Sequence, residues 1–303
     1  MRVVRVALVL VLACASVALA APQAKRFGSL DDAVNALMDA LRSQDRKALG
    51  DILGPQGRSL VSSGDDVADR NAAQRFIAEY DKGHRLEGGG GKVVLYVGED
   101  DFPFPIPLVP DGPSWRWDAE AGREEILRRR IGRNELSVIQ VCLAYVDAQR
   151  EYYAQSHKRD GVLEYAQRFA SSPGQRDGLY WATKTDEPPS PLGLLVVRAR
   201  AEGYTRGSGS ESSRVPFYGY LYRILLRQGP HAPDGAYDYV VGGHMIGGFG
   251  LMAYPARYGS SGVMTFIVNH DGVVYQKDLG PATARAAAKI QSFDPDATWK
   301  RVD

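Results

Sequence analysis

Five histidines are the side chains of this sequence best suited to acid–base or metal chemistry: His84, His157, His231, His244 and His270. Two zinc ligands on one helix face need a spacing of three or four residues. No pair here has that spacing, and we predict no metal site. His244 lies among glycines that would let a ligand approach, and Asp238 or Asp271 could orient its ring. His244 is therefore a candidate ligand-binding residue, and a hydrogen-bonded structural histidine is the alternative.

The usual nucleophile signatures are missing from the sequence. Serines stand beside glycines at residues 207–210 and 259–262, but neither segment has the Gly-x-Ser-x-Gly pattern of a nucleophile elbow. Cys142 lies off the main apolar stripe of a predicted helix and has no predicted acid–base partner, which favours a buried structural cysteine. We therefore predict no catalytic residue.

Two glycine patterns resemble nucleotide-binding loops only in part. Gly91-Lys92 is followed by Val93, so the hydroxyl that ligates magnesium in a phosphate-binding loop is absent. Residues 248–253 fit the form Gly-x-Gly-x-x-Ala, but Tyr254-Pro255 follows where a phosphate-capping helix should continue. We predict no cofactor and interpret these glycines as turns or close backbone approaches within a sheet.

Large aromatic side chains cluster in the first half of the chain. Trp115 and Trp117, with Phe102 and Phe104, could line an apolar pocket or could form the core of that half. We take Trp115 and Trp117, together with His244, as the candidate ligand-binding residues.

The elements that would position these residues divide the chain into two halves. In the first, residues 27–131, helical spacing of apolar residues predicts a helix pair over 29–53, with Ser29 as N-cap. A further helix is predicted over 68–81 and would be stopped by Gly88–Gly91. Alternating apolar residues then predict strands at 92–97 and 114–117. Helices followed by a curved sheet resemble the cone of the nuclear-transport-factor and polyketide-cyclase folds.

The second half, residues 132–303, predicts a long helix and then an antiparallel sheet domain. The apolar stripe of the helix starts near Arg133 and continues for more than twenty residues, so the helix would link the halves. A Gly-, Ser- and Pro-rich surface excursion or hinge is predicted at 188–216. Asn269–Gly272 has the Asp-Gly signal of a hairpin, which would place His270 in a solvated turn. The predicted fold class is α+β.

The N-terminus has the three parts of an export signal. Arg2 and Arg5 precede an apolar run over residues 6–12, and small residues lead to a cleavage site near Ala20. We therefore expect a signal peptide over residues 1–20, no transmembrane segment after cleavage, and a periplasmic or secreted protein. The alternative is a lipoprotein anchored through Cys14.

Charge and cysteine content exclude further classes. Removal of Arg2 and Arg5 leaves 35 basic against 36 acidic side chains, a net charge of about −1. Such a chain offers no basic field for nucleic acid. Cys142 would be the single cysteine left after cleavage, so no intrachain disulfide could form.

Several segments are more specific than these general patterns. They are Gly132–Glu135, Tyr145–Tyr153, Gly178–Trp181, Pro216–Tyr220, Met245–Phe249, Tyr258–Phe266 and Gly272–Gly280. In these segments the sequence resembles an exported bacterial family, domain of unknown function 2950, from about Phe27 to Val302. The family has no established activity, so the resemblance implies a location and no catalytic residues. Tyr218 stands where many relatives are expected to have histidine.

These observations favour a non-enzymatic binding or envelope-associated module, whose partner would be an envelope protein or a small molecule. The alternative is an unrecognised, hydrolase-like periplasmic enzyme centred on Gly242–Gly250 and His244. A third hypothesis is a pilin-like assembly subunit, based on the long helix and the C-terminal sheet.

Overall fold

The computed structural model describes residues 23–184, 186–204 and 215–302. The predicted signal peptide and Cys14 lie outside these residues. The α+β class is confirmed. The helices are α1 (Leu30–Arg42), α2 (Arg46–Val61), α3 (Asp66–Lys82), α4 (Ala119–Asp160), α5 (Gly193–Ala201) and α6 (Thr283–Lys289). No helix within the described ranges combines the length and the apolar character of a membrane span.

In the first half, α1–α3 pack against an antiparallel sheet. Its strands are β1 (His84–Gly89), β2 (Lys92–Val97), β3 (Phe102–Pro103), β4 (Leu108–Asp111) and β5 (Ser114–Trp117). The order is β1-β2-β4-β5, with β3 beside β2. Ser29 caps α1 as predicted, because its Oγ accepts a hydrogen bond from the Asp32 amide at 3.1 Å. Leu37 and Leu95 lie in the core between helices and sheet.

The prediction that Gly88–Gly91 stops the helix before it was wrong. The helix α3 already ends at Lys82, and Gly88–Gly89 belong to β1. Gly90 and Gly91 form the turn to β2, with φ of 59° and 78°. Two successive positive φ angles define the tight hairpin turn that matches strand twist, which explains two adjacent glycines here.

The long helix α4 belongs to both halves. It begins at Ala119, fourteen residues before the predicted start at Arg133, so that start was wrong. Ile126 and Leu127 in its first turns pack against the N-terminal core, and Cys142 and Tyr145 lie in the core of the second half. The apolar stripe of α4 therefore packs against the N-terminal core first and against the core of the second half further on. This change of packing partner makes the start of the helix hard to recognise in the sequence. The predicted domain boundary at residue 131 falls inside α4.

The second half contains a five-stranded antiparallel sheet of order β14-β13-β12-β11-β6 and two short strand pairs. Its strands are β6 (Tyr220–Leu225), β7 (Arg227–Gln228), β8 (Tyr237–Asp238), β9 (Val240–Val241), β10 (His244–Met245), β11 (Gly250–Pro255), β12 (Met264–Asn269), β13 (Tyr275–Asp278) and β14 (Lys300–Arg301). The turn at 269–272 is present as predicted, with the Gly272 amide donating to the Asn269 carbonyl at 2.9 Å.

Both faces of this sheet are covered. Along β12, Phe266 and Val268 face the cluster that includes α4 residues, whereas Ile267 faces a second cluster that includes Ala287 of α6. Successive side chains of a strand point to opposite faces of the sheet. A sheet that is covered on both faces therefore requires strands with consecutive apolar residues, as at 266–268.

The predicted excursion at 188–216 contains a helix, α5, over Gly193–Ala201. The sequence pattern, which indicated a surface excursion or hinge, did not predict this helix. Residues 205–214 of this stretch lie outside the described residues.

Buried polar contacts join the two halves. The Asp65 carboxylate, which is 2 % exposed, caps α3 by accepting hydrogen bonds from the Val67 and Ala68 amides. Its second oxygen accepts from the Tyr204 hydroxyl at 2.9 Å and from the Gly219 amide at 2.8 Å, both in the second half. One carboxylate thus links the start of α3 to the segment before β6.

Candidate functional site

A groove of about 470 Å³ lies between the C-terminal sheet and α6. This volume is within the range of about 300–1,000 Å³ that small-molecule sites occupy. Its apolar lining consists of Ile267, Leu279, Ala282, Ala286, Ile290 and Trp299. Its polar lining consists of Lys277, Arg285, Lys289, Gln291, Ser292, Asp294 and Asp296. The groove thus combines an apolar surface with an unusually large share of charged side chains.

Tertiary contacts hold α6 in place at this groove. The helix has seven residues and no side-chain hydrogen bond at its N-cap, and a helix this short is not stable by itself. Arg223 of β6 donates from Nη2 to the Ala287 carbonyl at 2.7 Å and to the Ile290 carbonyl. A guanidinium at the C-terminal end of a helix satisfies free carbonyls and opposes the negative end of the helix dipole. Arg223 therefore fixes one wall of the groove.

Two cations of α6 face the groove without a charged partner. Arg285 and Lys289 are four residues apart, so their side chains lie on the same helix face. Both are exposed, and neither forms an ion pair or a side-chain hydrogen bond with a residue that the structure describes. Their charges are therefore available to a ligand.

Each acidic side chain of the groove uses one carboxylate oxygen in contacts within the protein. Asp294 Oδ1 accepts a hydrogen bond from the His231 amide at 2.8 Å and lies 3.0 Å from the His231 Nδ1. Asp296 Oδ1 accepts from the Thr298 amide at 2.8 Å and from the Thr298 hydroxyl. These hydrogen bonds from Thr298 hold the pKa of Asp296 below its usual value. The charged lining of the groove thus consists of three cationic side chains, Lys277, Arg285 and Lys289, and these two carboxylates.

Trp299 supplies the largest apolar surface of the groove. It is half-buried, and the Lys277 Nζ lies 5.7 Å from its ring centroid, a cation–π distance. The same Nζ donates to the Thr298 hydroxyl at 2.5 Å. Lys277 therefore has partners within the protein, in contrast to Arg285 and Lys289.

No sequence pattern predicted this groove. Its residues come from β12, β13, α6 and the segments before and after α6, and none of these has a chemical motif. The available signal was the spacing of Arg285 and Lys289 beside four alanines, which indicates a short helix with a basic face. Only the packing of α6 on the sheet makes that face part of a site.

His244 lies in another part of the second half and has a different partner from the predicted ones. Its Nδ1 is 3.1 Å from the Glu164 Oε2. A backbone bridge between Tyr165 and Met245 places the segment after α4 beside β10, which brings these two side chains together. Because 80 residues separate them in sequence, local spacing gave no indication of this pair.

The predicted orientation of His244 by Asp238 or Asp271 was wrong. Asp238 is paired with Arg227, with 3.7 Å between Oδ1 and Nε. Asp271 accepts a hydrogen bond from the Asn269 side chain at 3.1 Å within the hairpin turn. Both carboxylates are therefore used by their own strand pairs.

The environment of His270 also differs from the predicted one, which was a solvated turn. Its ring is half-buried and lies edge-on to Tyr239 at 5.7 Å and to Phe249 at 6.1 Å between centroids. Its Nδ1 is buried without a hydrogen-bond partner among the described residues. The hairpin turn folds over neighbouring strands, which covers a residue that an isolated turn would expose.

The structure places Trp117 in the N-terminal core. Its side chain is fully buried, its Nε1 donates to the Ala33 carbonyl at 3.1 Å, and its ring is edge-on to Phe104 at 5.6 Å. Trp115 is half-buried and packs against the same core. These contacts fit the core interpretation of the two tryptophans, and binding of a ligand at Trp115 and Trp117 stays a prediction.

Cys142 is buried in the core of the second half, and burial raises the pKa of its thiol to about 12. We therefore expect no reaction with a thiol reagent in the native protein at about pH 8, because the thiolate that reacts is not formed. A colorimetric thiol assay of the protein without residues 1–20 checks this expectation. The same assay in denaturing urea should give one equivalent of thiol. Rapid labelling without denaturant would show that this part of the core opens.

The fold and the groove define an α+β protein with a candidate small-molecule site between its C-terminal sheet and a short helix. A family model described as "Protein of unknown function (DUF2950)" matches residues 24–302, and the chain belongs to this family. The resemblance found in the sequence is thus confirmed over nearly the whole chain. No curated protein and no solved structure matches the chain.

Proposed function

We propose that this protein is an exported binding protein that holds a small, partly apolar molecule in the groove beside α6. The observation that carries the proposal is the groove itself, with its apolar floor, the half-buried Trp299 and charged groups at the edge. Export to the periplasm or beyond rests on the N-terminal pattern of Arg2, Arg5 and a small-residue site near Ala20. A lipid anchor at Cys14 is the alternative form of the same location.

The binding proposal is tested with N-phenyl-1-naphthylamine, a neutral apolar dye whose fluorescence rises on leaving water. We expect saturable binding to the protein without residues 1–20. Ala286→Phe should abolish it, because the ring would fill the groove from α6. A thermal melt with and without dye provides a second measurement, since a ligand of the native state raises the apparent stability.

Ala288→Phe is the matched control for this substitution. Ala288 is an exposed residue of the same helix and does not line the groove, so this variant should bind the dye normally. Equal binding by both variants would place the dye elsewhere and contradict the proposal. Loss in both, with unchanged melting temperatures, would contradict it as well, because the control leaves the groove open.

A hydrolase-like enzyme is the second candidate, and the contact between His244 and Glu164 favours it. A carboxylate beside one ring nitrogen can orient a histidine as a general base. Among the described contacts, no hydroxyl or thiol is hydrogen-bonded to His244. Ester hydrolysis that is lost in both His244→Ala and Glu164→Gln would support the enzyme. The binding proposal expects His244→Ala to retain dye binding.

A further inference from the structure

We infer that the ligand of the groove is an amphipathic anion, whose acidic head lies against Arg285 and Lys289 and whose apolar part lies over Ile267 and Trp299. This inference rests on the proposed binding function and adds the chemical class of the ligand. The groove sets an apolar floor beside two cations that have no partner within the described chain.

The inference depends first on the distribution of free charge. Asp294 and Asp296 also line the groove, and one oxygen of each accepts hydrogen bonds from His231 or Thr298. A cationic ligand would share these two carboxylates with the internal donors and would lie near the three cations of the groove. An anionic head meets no such competition at Arg285 and Lys289, and one acidic group can contact both because the side chains share one helix face.

The two cations of α6 also lie beside apolar residues of the groove. Arg285 and Lys289 flank Ala286 on α6, and Ala286 itself lines the groove. A ligand that buries its apolar part against Ala286 and Trp299 therefore brings its remaining end toward the two cations. A purely apolar ligand would leave them unpaired, and an inorganic anion would leave the floor uncovered.

The test compares two dyes that differ by one acidic group. 8-Anilinonaphthalene-1-sulfonate is N-phenyl-1-naphthylamine with an added sulfonate. The difference between their affinities therefore measures the contribution of the acidic head group to binding. At low salt we expect the sulfonate to bind about tenfold more tightly, since each exposed ion pair contributes only modestly. Added salt should reduce this ratio, because exposed charges are screened.

The double variant Arg285→Gln/Lys289→Gln should bring the two dyes to equal affinity while binding of the neutral dye is retained. Lys92→Gln/Arg123→Gln removes the same charge from exposed residues of the first half and should keep the preference. Melting temperatures of both variants serve as the control for folding. This control pair separates a local effect of the two cations from an effect of net charge.

Each outcome has a definite meaning. Equal affinities for both dyes in the unsubstituted protein would overturn the anion inference and leave the groove as a site for neutral molecules. Preference for the sulfonate that persists in Arg285→Gln/Lys289→Gln would overturn it as well, because the head would then lie elsewhere. Failure of both dyes to bind would overturn the proposed function itself.

Discussion

Replacement of Asp65 by alanine is expected to lower the free energy of unfolding by roughly 4 kcal/mol. The substitution removes the cap of α3, which contributes about 1–2 kcal/mol. It also leaves the Tyr204 hydroxyl and the Gly219 amide without their acceptor in a buried site, at about 1–3 kcal/mol each. Urea denaturation of the protein without residues 1–20, followed by circular dichroism, measures the difference.

Asp45→Ala provides the matched control for this experiment. Asp45 caps α2 by accepting a hydrogen bond from the Ala48 amide at 2.9 Å, but its side chain is exposed and forms no hydrogen bond or ion pair with the described residues of the second half. Its loss should cost about 1 kcal/mol. If both substitutions cost the same, Asp65 is only a helix cap, and the proposed link between the halves is refuted.

Trp117→Ala is expected to destabilise the protein by about 3–5 kcal/mol. The indole is fully buried, so its removal creates a cavity among the residues of the N-terminal core and leaves the Ala33 carbonyl without its donor. Chemical denaturation monitored by far-ultraviolet circular dichroism is the appropriate measurement, because the substitution changes the tryptophan fluorescence.

Phe102→Ala is the control for the loss of an aromatic ring from the same half. Phe102 is 47 % exposed on β3, and its truncation should cost less than about 1 kcal/mol. A cost for Trp117→Ala as small as that for Phe102→Ala would contradict the core role of Trp117. It would instead support the prediction that Trp115 and Trp117 line a ligand pocket.

Local patterns in the sequence predicted those elements whose stability is itself local. The cap at Ser29, the helix α3, the strand β2 and the hairpin at Asn269–Gly272 depend on side chains within a few residues of one another. Their prediction required no knowledge of the rest of the chain. The start of α4 was missed because the residues on which its first turns pack are distant in sequence. The strand β1 was missed although its partner β2 is adjacent, because Gly88 and Gly89 were interpreted as a helix stop.

Local sequence patterns likewise indicated only part of the candidate site. His244 was recognised from its glycine neighbours, but its partner Glu164 is 80 residues away and was not. The groove was not predicted at all, because its floor, wall and cations come from separate elements that meet only after α6 packs on the sheet. Residue type alone does not distinguish a free cation such as Arg285 from an engaged one such as Lys277.

The sequence by itself determined the α+β class, the family and most of the local elements, because periodicity, capping and turn chemistry act over a few residues. The tertiary structure decided which face each element covers and which polar groups remain free. It placed Trp117 in a core, joined the two halves through Asp65, and left Arg285 and Lys289 beside an apolar groove. These features arise from contacts between residues far apart in the chain, and the linear sequence does not specify such contacts by any local rule.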